Sequence, residues 1–270
     1  MADQLNSFSI TGVAASLAAA MGIEAPAQAN PAIDQIVNLV KNGIDGGRVD
    51  RVFMYNPDAV AMWLYQKYTA LFDNVVKHTA LSVPLQTVMP SVTPVCFGSL
   101  YTGAFPAVHG IRKYEKPVIR IDTLFDTLIR AGKRPVIIGD PHCSLSHIFL
   151  ERDMDYFIGD TIEEINKKAM ALIDEDKYDF YVVYNGNYDS LMHKFGPESD
   201  EAMAQLRDNV ASFDRLITAL KQKWTGHDTL FAFAMDHGCH EIDGNCGSHG
   251  LDMPEDLNIL HHYGLIPRSR

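Results

Sequence analysis

Cysteine is scarce in this chain, and its positions form no recognisable pattern. The four cysteines (Cys96, Cys143, Cys239 and Cys246) show neither CxxC spacing nor a dense arrangement. This argues against a disulfide-rich secreted scaffold and favours reduced thiols in a cytoplasmic protein. Cys239 and Cys246 flank a segment rich in aspartate and histidine. Because those residues outnumber them there, we interpret both cysteines as packing residues.

Basic residues are also few relative to acidic ones. The chain has 23 Lys and Arg against 34 Asp and Glu, which gives a net charge of −11. A nucleic-acid-binding or anionic-membrane surface needs an excess of positive charge, so neither partner is expected. An anionic substrate would have to be attracted by local positive charge, which bound cations supply.

Long apolar runs and repeats are missing as well. The apolar run 13–21 is too short to span a bilayer, and Asp3 precedes it without any Lys or Arg. We therefore expect a short docked helix there, with neither a membrane span nor an export signal. Without repeats or linkers, we expect one domain over 1–270, with 1–30 as an N-terminal helical extension. No pattern predicts an oligomeric state.

Helices and strands alternate along the chain. Hydrophobic spacing predicts helices over 31–40, 59–76, 123–131, 161–174 and 198–224, and strands over 49–55, 135–139, 180–184 and 229–235. Asn30 and Asp122 are expected to cap the first and third of these helices. Strands that are apolar throughout indicate a sheet buried on both faces. The sequence therefore predicts an α/β fold, a three-layer αβα sandwich around a largely parallel central sheet.

An aspartate follows each of three predicted strands. Asp58 comes after the strand at 49–55, Asp189 after the strand at 180–184, and Asp236 directly after the strand at 229–235. Ligands of such sheets bind at the carboxyl ends of the strands. We therefore expect the three carboxylates to converge.

Histidines accompany two of these aspartates. His193 lies four residues after Asp189, so one helical turn would place both on the same face. His237 directly follows Asp236, and Gly238 is expected to give that irregular backbone its freedom. His249 lies in a glycine-rich loop. The combined set of Asp and His predicts a site for two divalent metal ions.

Thr93 is the candidate nucleophile. Thr93-Pro94 before an apolar run is typical of a helix start, with threonine as the N-cap and proline in the first turn. The free backbone N–H groups of Val95 and Cys96 at that helix N-terminus would suit a phosphoryl oxygen. A threonine hydroxyl needs activation, which two divalent ions about 3.5–4 Å apart would provide.

The motifs together resemble the alkaline phosphatase superfamily, most closely its nucleotide pyrophosphatase/phosphodiesterase-like branch. The matching segments are short, lie between 58 and 250, and keep the family's order: Asp58, Thr93-Pro94 to Thr102-Gly103, His109-Gly-Ile111, Asp189-x-x-x-His193-x-Phe-Gly-Pro197, Asp236-His237-Gly238 and His249-Gly250. The stretch 104–188 is accounted for by ordinary helices and strands. We therefore expect no large cap domain of the kind found in mutase relatives.

The resemblance implies a specific division of the ligands. One metal ion would be held by Asp189, His193 and His249, and the second by Asp58, Asp236 and His237, with Thr93 between them. It implies hydrolysis of a small phosphate ester, a diester or a monoester, through a phosphothreonine intermediate. Zinc suits three aspartates and three histidines best, and manganese is the alternative.

Three other functions stay open at this point. A phosphotransferase or mutase of the same superfamily would need a cap that keeps water away. A non-catalytic metal- or phosphate-binding protein would not need an activatable threonine. A metal-free phosphatase would use Cys96 as the nucleophile, because a helix N-terminus lowers a thiol pKa.

Further assignments concern four more histidines and two cations. His109 and His240 are expected to have structural or ligand-supporting roles, and the pair at 261–262 to belong to a packing or solvated segment. Arg112 and Lys113 are candidates for supplying positive charge to the phosphoryl group.

Overall fold

The computed structural model describes residues 4–269, and its centre is an eight-stranded sheet. The strands are β1 (Phe8–Ser9), β2 (Arg51–Pro57), β3 (Leu81–Gln86), β4 (Pro135–Gly139), β5 (Asp155–Ile158), β6 (Phe180–Asn185), β7 (Thr229–Phe233) and β10 (Asn258–Ile266), with a separate hairpin of β8 (His240–Ile242) and β9 (Cys246–Ser248). The order across the sheet is β1-β3-β10-β7-β2-β6-β4-β5. Only β10 runs antiparallel to its neighbours, so the sheet is largely parallel, as predicted.

Helices connect the strands. They are α1 (Val13–Met21), α2 (Asp34–Gly43), α3 (Met62–Lys67), α4 (Asp73–Val76), α5 (Thr93–Thr102), α6 (Pro106–His109), α7 (Leu124–Arg130), α8 (Ser144–Ile148), α9 (Ile162–Glu175), α10 (Asn187–Phe195), α11 (Asp200–Lys223) and α12 (Pro254–Leu257), with 3₁₀ turns at Ile10–Gly12 and Thr69–Phe72. The helix expected at 13–21 is present and packs on α2, α5 and α7. No helix within residues 4–269 combines the length and apolarity that crossing a bilayer requires.

Two adjacent residues of β6 show that helices cover both faces of the sheet. Phe180 packs its ring against Tyr101 of α5 and Phe125 of α7, with centroids 6.4 and 6.2 Å away. The next residue, Tyr181, packs against Trp224 at the end of α11, 5.0 Å away. Because successive side chains of a strand point to opposite faces, the helices lie on both sides. The predicted three-layer αβα arrangement is confirmed.

Two predicted helices have different limits. The helix expected from 31 begins at Asp34, and the side chain of Asn30 donates to the carbonyl of Gly103 (2.9 Å) instead of capping it. The single helix expected over 59–76 is wrong. Ala59 has a φ of 61°, which is left-handed, and Tyr68 leaves helical geometry with a ψ of 42°. The segment therefore folds as three short pieces.

The cap of α7 also differs from the prediction. Thr123, rather than Asp122, accepts a hydrogen bond from the backbone N–H of Asp126, and the Asp126 carboxylate accepts one from the N–H of Thr123. This reciprocal pair satisfies two amide groups that a helix start leaves free. Asp122 instead forms a bidentate ion pair with Arg130, at 2.6 and 2.9 Å.

The antiparallel strand β10 was not predicted, and it contains the pair His261 and His262. Both side chains are fully buried, so this pair belongs to a packing segment and not to a solvated one. His261 Nε2 donates to the carbonyl of Met235 (2.6 Å), and His262 Nδ1 lies 2.8 Å from the hydroxyl of Ser82. Burial lowers the pKa of both imidazoles to about 4, so they pack as neutral rings.

Candidate active site

Three neighbouring parallel strands bring the three aspartates together. Asp58 directly follows β2, Asp189 lies in the first turn of α10 after β6, and Asp236 lies three residues after β7. In the sheet, β2 lies between β7 and β6. The convergence expected from the strand ends is therefore present. Asp58 and Asp236 are fully buried, and the Asp189 side chain is 19% exposed.

One group of ligand atoms consists of Asp189, His193 and His249. Asp189 Oδ1 lies 3.3 Å from His193 Nε2 and 3.4 Å from His249 Nε2, and the two Nε2 atoms are 3.1 Å apart. One turn of α10 places Asp189 and His193 on the same face, as their spacing predicts. The backbone turns at Gly196, the C-cap of α10, and His249 comes from the loop that follows β9.

The second group consists of Asp58, Asp236 and His237. His237 Nε2 lies 3.3 Å from Asp58 Oδ1 and 3.3 Å from Asp236 Oδ2. The Thr93 hydroxyl lies 3.2 Å from His237 Nε2 and donates to Asp58 Oδ2 at 3.3 Å. The two groups are adjacent, because the rings of His237 and His249 have centroids 4.1 Å apart.

All three histidines use the same ring nitrogen to anchor themselves. Each Nδ1 contacts a backbone carbonyl, which only accepts, so each Nδ1 is the donor. The acceptors for His193, His237 and His249 are the carbonyls of Gly247 (3.0 Å), Gly238 (2.9 Å) and Ser91 (2.9 Å). In the neutral rings Nε2 therefore carries a lone pair that faces the carboxylates. Histidines that bind metals are held in this way.

The carboxylates at the centre carry unsatisfied oxygens. Asp58 Oδ1, Asp189 Oδ1 and Asp236 Oδ2 are buried and accept no hydrogen bond within the described residues. Burial, with the nearby charge of Asp189, raises the pKa of Asp58 to about 7. Burial and the charge of Asp58 raise the pKa of Asp236 well above its usual range. The Nε2 lone pairs of the histidines and the carboxylate oxygens that they face repel each other. Cations or protons are therefore needed between them.

The site meets the requirements of two divalent cations. Each group offers oxygen and nitrogen ligand atoms within 4.8 Å of one another. The carboxylate oxygens without hydrogen-bond partners are free to coordinate a cation. Without a cation, a proton on Nε2 is the alternative: the Asp189 carboxylate, 3.3 Å from that nitrogen, raises the pKa of His193 to about 9. The two groups would each hold one ion, and the carboxylates would then be neutralised in place.

Thr93 lies at the start of α5, but it does not cap the helix. Val92 is the N-cap, Thr93 is the first helical residue, and its hydroxyl is directed to Asp58 and His237 instead. The N–H groups of Val95 and Cys96 both donate to the carbonyl of Val92 (3.0 Å). These two groups are already bonded within the helix, so the structure does not support them as donors to a substrate.

Cys96 also lacks the properties of a nucleophile. Its side chain is fully buried and directed to the carbonyl of Val88, 3.9 Å away. Burial and the nearby charge of Asp236 raise the pKa of its thiol well above the usual range. A thiol that stays protonated and enclosed is a packing residue. The metal-free phosphatase is therefore disfavoured.

Tyr184 is a site residue that sequence reasoning missed. It lies in β6, next to β2, the strand that Asp58 directly follows, and its hydroxyl donates a short hydrogen bond to Asp58 Oδ2. The same oxygen receives the Thr93 hydroxyl, which leaves Oδ1 facing His237. A tyrosine in an apolar strand carries no signal of this role, because only strand pairing places it beside the aspartate.

His109 is structural, and the two cations after it lie outside the site. His109 is buried, its Nε2 lies 3.0 Å from the hydroxyl of Ser99, and its Nδ1 accepts from the N–H of Ile111. It thereby ties α6 to α5. Arg112 and Lys113 are exposed; the first donates to a backbone carbonyl and the second pairs with a nearby glutamate. Neither lines the cavity beside Thr93.

His240 supports the loop that carries the second group. Its Nδ1 lies 2.7 Å from Asp256 Oδ1, and the backbone carbonyl of Asp256 accepts from the N–H of Gly238 (2.8 Å). Asp256 Oδ2 accepts from the N–H of Leu251, two residues after His249. One buried carboxylate therefore ties together the segments that carry His237 and His249.

Gly238 is required by a close approach rather than by an unusual φ. A Cβ at this position would lie 2.0 Å from the carbonyl oxygen of Glu255. We expect Gly238→Ala to destabilise the protein by at least about 2 kcal/mol and to weaken metal binding, because the loop after β7 must shift. Denaturant unfolding and metal titration measure both. The control is Gly226→Ala, where a Cβ meets nothing within 4 Å; equal behaviour of the two variants would contradict this account.

The comparisons with known proteins agree with this geometry. A largely parallel sheet with two ligand groups at its carboxyl edge is what the resemblance to the alkaline phosphatase superfamily implies. The family model for type I phosphodiesterase / nucleotide pyrophosphatase matches residues 44–261. The chain therefore belongs to that family. A comparison with curated proteins found no match.

Solved structures of ectonucleotide pyrophosphatase/phosphodiesterase 5 share the fold. The murine protein superposes with a TM-score of 0.56 at 18% identity, covering 72% of this chain and 58% of that one. An inactive threonine-to-alanine variant of it, in complex with AMP, superposes with a TM-score of 0.55 at 16% identity, covering 72% of this chain and 59% of that one. The human protein superposes with a TM-score of 0.56 at 17% identity, covering 71% of this chain and 58% of that one. The chain thus spans less than two thirds of the length of these structures.

Proposed function

We propose that this chain hydrolyses phosphate esters, with phosphodiesters or pyrophosphates as the substrate class, and that Thr93 is the nucleophile. The observation that carries the proposal is the position of the Thr93 hydroxyl, between Asp58 Oδ2 (3.3 Å) and His237 Nε2 (3.2 Å) at the edge of the second ligand group. Membership of the phosphodiesterase family supports the reaction class. A protein that only bound metal would not need a hydroxyl there.

The reaction proceeds in two displacements at phosphorus. The Thr93 oxygen attacks the phosphorus atom, its proton leaves along the hydrogen bond to Asp58 Oδ2, and the bond to the leaving group breaks with its electron pair. The resulting phosphothreonine is hydrolysed by water, which restores the hydroxyl. Tyr184 holds Asp58 Oδ2 in place through its own hydroxyl. Two bound divalent cations would supply the positive charge that stabilises the threonine oxyanion and the phosphoryl oxygens.

The donor set supports zinc in both positions. Asp189, His193 and His249 would hold one ion, and Asp58, Asp236 and His237 the other. Three imidazole nitrogens with three carboxylates suit zinc, and manganese accepts the same mixed ligands. The substrate is a small ester, since the chain's net charge of −11 does not favour a polyanionic partner.

A paired turnover assay tests the proposal. Metal-free protein is reconstituted with zinc or with manganese and given an aryl phosphate monoester and the matching diester. We expect metal-dependent turnover with a preference for the diester. A preference for the monoester would make the protein a phosphatase. Absence of turnover on both, with metal bound, would contradict hydrolysis and favour a transferase or a binding protein.

A further inference from the structure

The cavity beside Thr93 is much larger than a phosphoryl group. Its volume is about 450 Å³, and at one end it is lined by Asp58, Thr93, Tyr184 and Asp189. It continues to the segment that begins at Asp140 and to the start of α9 at Ile162. Cavities of this size enclose most of a small organic ligand. The part beyond the metal ligands is therefore available for the rest of the ester.

The charges on the cavity wall are unevenly distributed. Beyond the metal ligands, Asp140 and Asp160 line the cavity, and Lys116 is the single Lys or Arg among the lining residues within the described chain. Arg112 and Lys113, the cations that the sequence suggested for the phosphoryl group, do not line this cavity. An anionic group on the ester would meet one cation here.

Lys116 is held in position without being neutralised. Its Nζ donates a short hydrogen bond to the carbonyl of His142 and lies 5.3 Å from the ring centroid of Tyr114. The N–H of His142 in turn donates to Asp140 Oδ1 (2.8 Å), which fixes that loop. Within residues 4–269, Lys116 forms no ion pair with a carboxylate. An ammonium has three N–H donors, so donors remain for a ligand.

We propose that Lys116 binds a second anionic group of the substrate, a carboxylate or a further phosphoryl group on the ester arm. The inference rests on the proposed function, because it concerns the same cavity. An ammonium held by one backbone carbonyl is suited to a charge-assisted bond with such a group. Asp140 and Asp160 on the same wall repel additional negative charge. The cavity therefore selects an ester with one further anionic group rather than a longer polyanion.

Binding of non-hydrolysable phosphonates tests the inference separately from turnover. The full chain, loaded with zinc, is titrated by calorimetry with phenylphosphonate, its meta-carboxy derivative and its meta-phosphono derivative. The variants are Lys116→Gln, Lys116→Arg and the matched control Lys113→Gln, which removes the same charge from an exposed residue outside the cavity. The two derivatives distinguish a carboxylate from a phosphoryl group.

We expect an acidic substituent to tighten binding about tenfold in the wild type and in Lys113→Gln, as one charge-assisted contact supplies. The gain should fall to about twofold or less in Lys116→Gln, and Lys116→Arg should retain most of it. An equal gain in Lys116→Gln and wild type overturns the inference, as does no gain, or no binding of any phosphonate, in the wild type. If binding depends on Lys116 but neither the aryl phosphate monoester nor the matching diester is turned over, the proposed function fails and the anion subsite stands.

Discussion

Replacing Thr93 with alanine is expected to lower kcat by at least about 10⁴-fold, the scale seen when a nucleophile is removed from an enzyme that forms a covalent intermediate. The reason is geometric: the Thr93 hydroxyl is the group that lies beside both Asp58 and His237 in the second ligand set. Metal binding should persist, because six Asp and His ligands are unchanged. Steady-state turnover and metal stoichiometry on the same preparation measure both effects.

Two variants make this result specific. Thr93→Ser keeps the hydroxyl at the same position and should retain turnover within about 100-fold of the wild type. Cys96→Ala removes a buried thiol three residues along the same helix and should leave turnover nearly unchanged. Loss of turnover in Cys96→Ala with retention in Thr93→Ala would show that the nucleophile has been assigned incorrectly.

The convergence of the three aspartates could be predicted because strand ends are readable from sequence. β2, β6 and β7 are continuous apolar segments, and in a parallel sheet their carboxyl ends lie at one edge. The helical spacing of Asp189 and His193 predicted in the same way that these two side chains lie on one face of α10. These inferences use only local periodicity and the general topology of α/β sheets.

The errors come from contacts between distant parts of the chain. Thr93-Pro94 has the pattern of a capped helix start, but the threonine hydroxyl is bonded to Asp58, 35 residues earlier. β10 was missed because its two histidines interrupt an apolar pattern, and they are buried only since Met235 and Ser82 supply partners. Local sequence does not specify such partners, so a polar residue in a strand cannot be assigned to the core by periodicity alone.

Metal removal is expected to lower the thermal stability of the protein strongly. Asp58 Oδ1, Asp189 Oδ1 and Asp236 Oδ2 have no hydrogen-bond partner within the described residues, so the metal-free centre contains uncompensated buried acceptors. A ligand at about 100 times its Kd adds roughly 2.7 kcal/mol per site, so two sites add roughly 5 kcal/mol. For a chain of this size we expect a fall in Tm of about 10 °C on chelation, measured by calorimetry. A chelator that abolished turnover without changing Tm would count against this account.

We expect the variant Asp236→Asn to be more stable than the wild type without metal and less stable than the wild type with zinc. Asp236 Oδ2 lies 3.3 Å from His237 Nε2, which carries a lone pair because its Nδ1 donates to the carbonyl of Gly238. An asparagine amide at that place donates to the lone pair and replaces a carboxylate whose charged form is disfavoured by burial, so the metal-free variant should be more stable than the metal-free wild type. With zinc the order inverts, since the variant lacks one anionic ligand. Asp243→Asn, an exposed carboxylate, is the control and should change neither Tm. Full retention of the zinc-induced rise in Tm by Asp236→Asn would exclude Asp236 as a ligand.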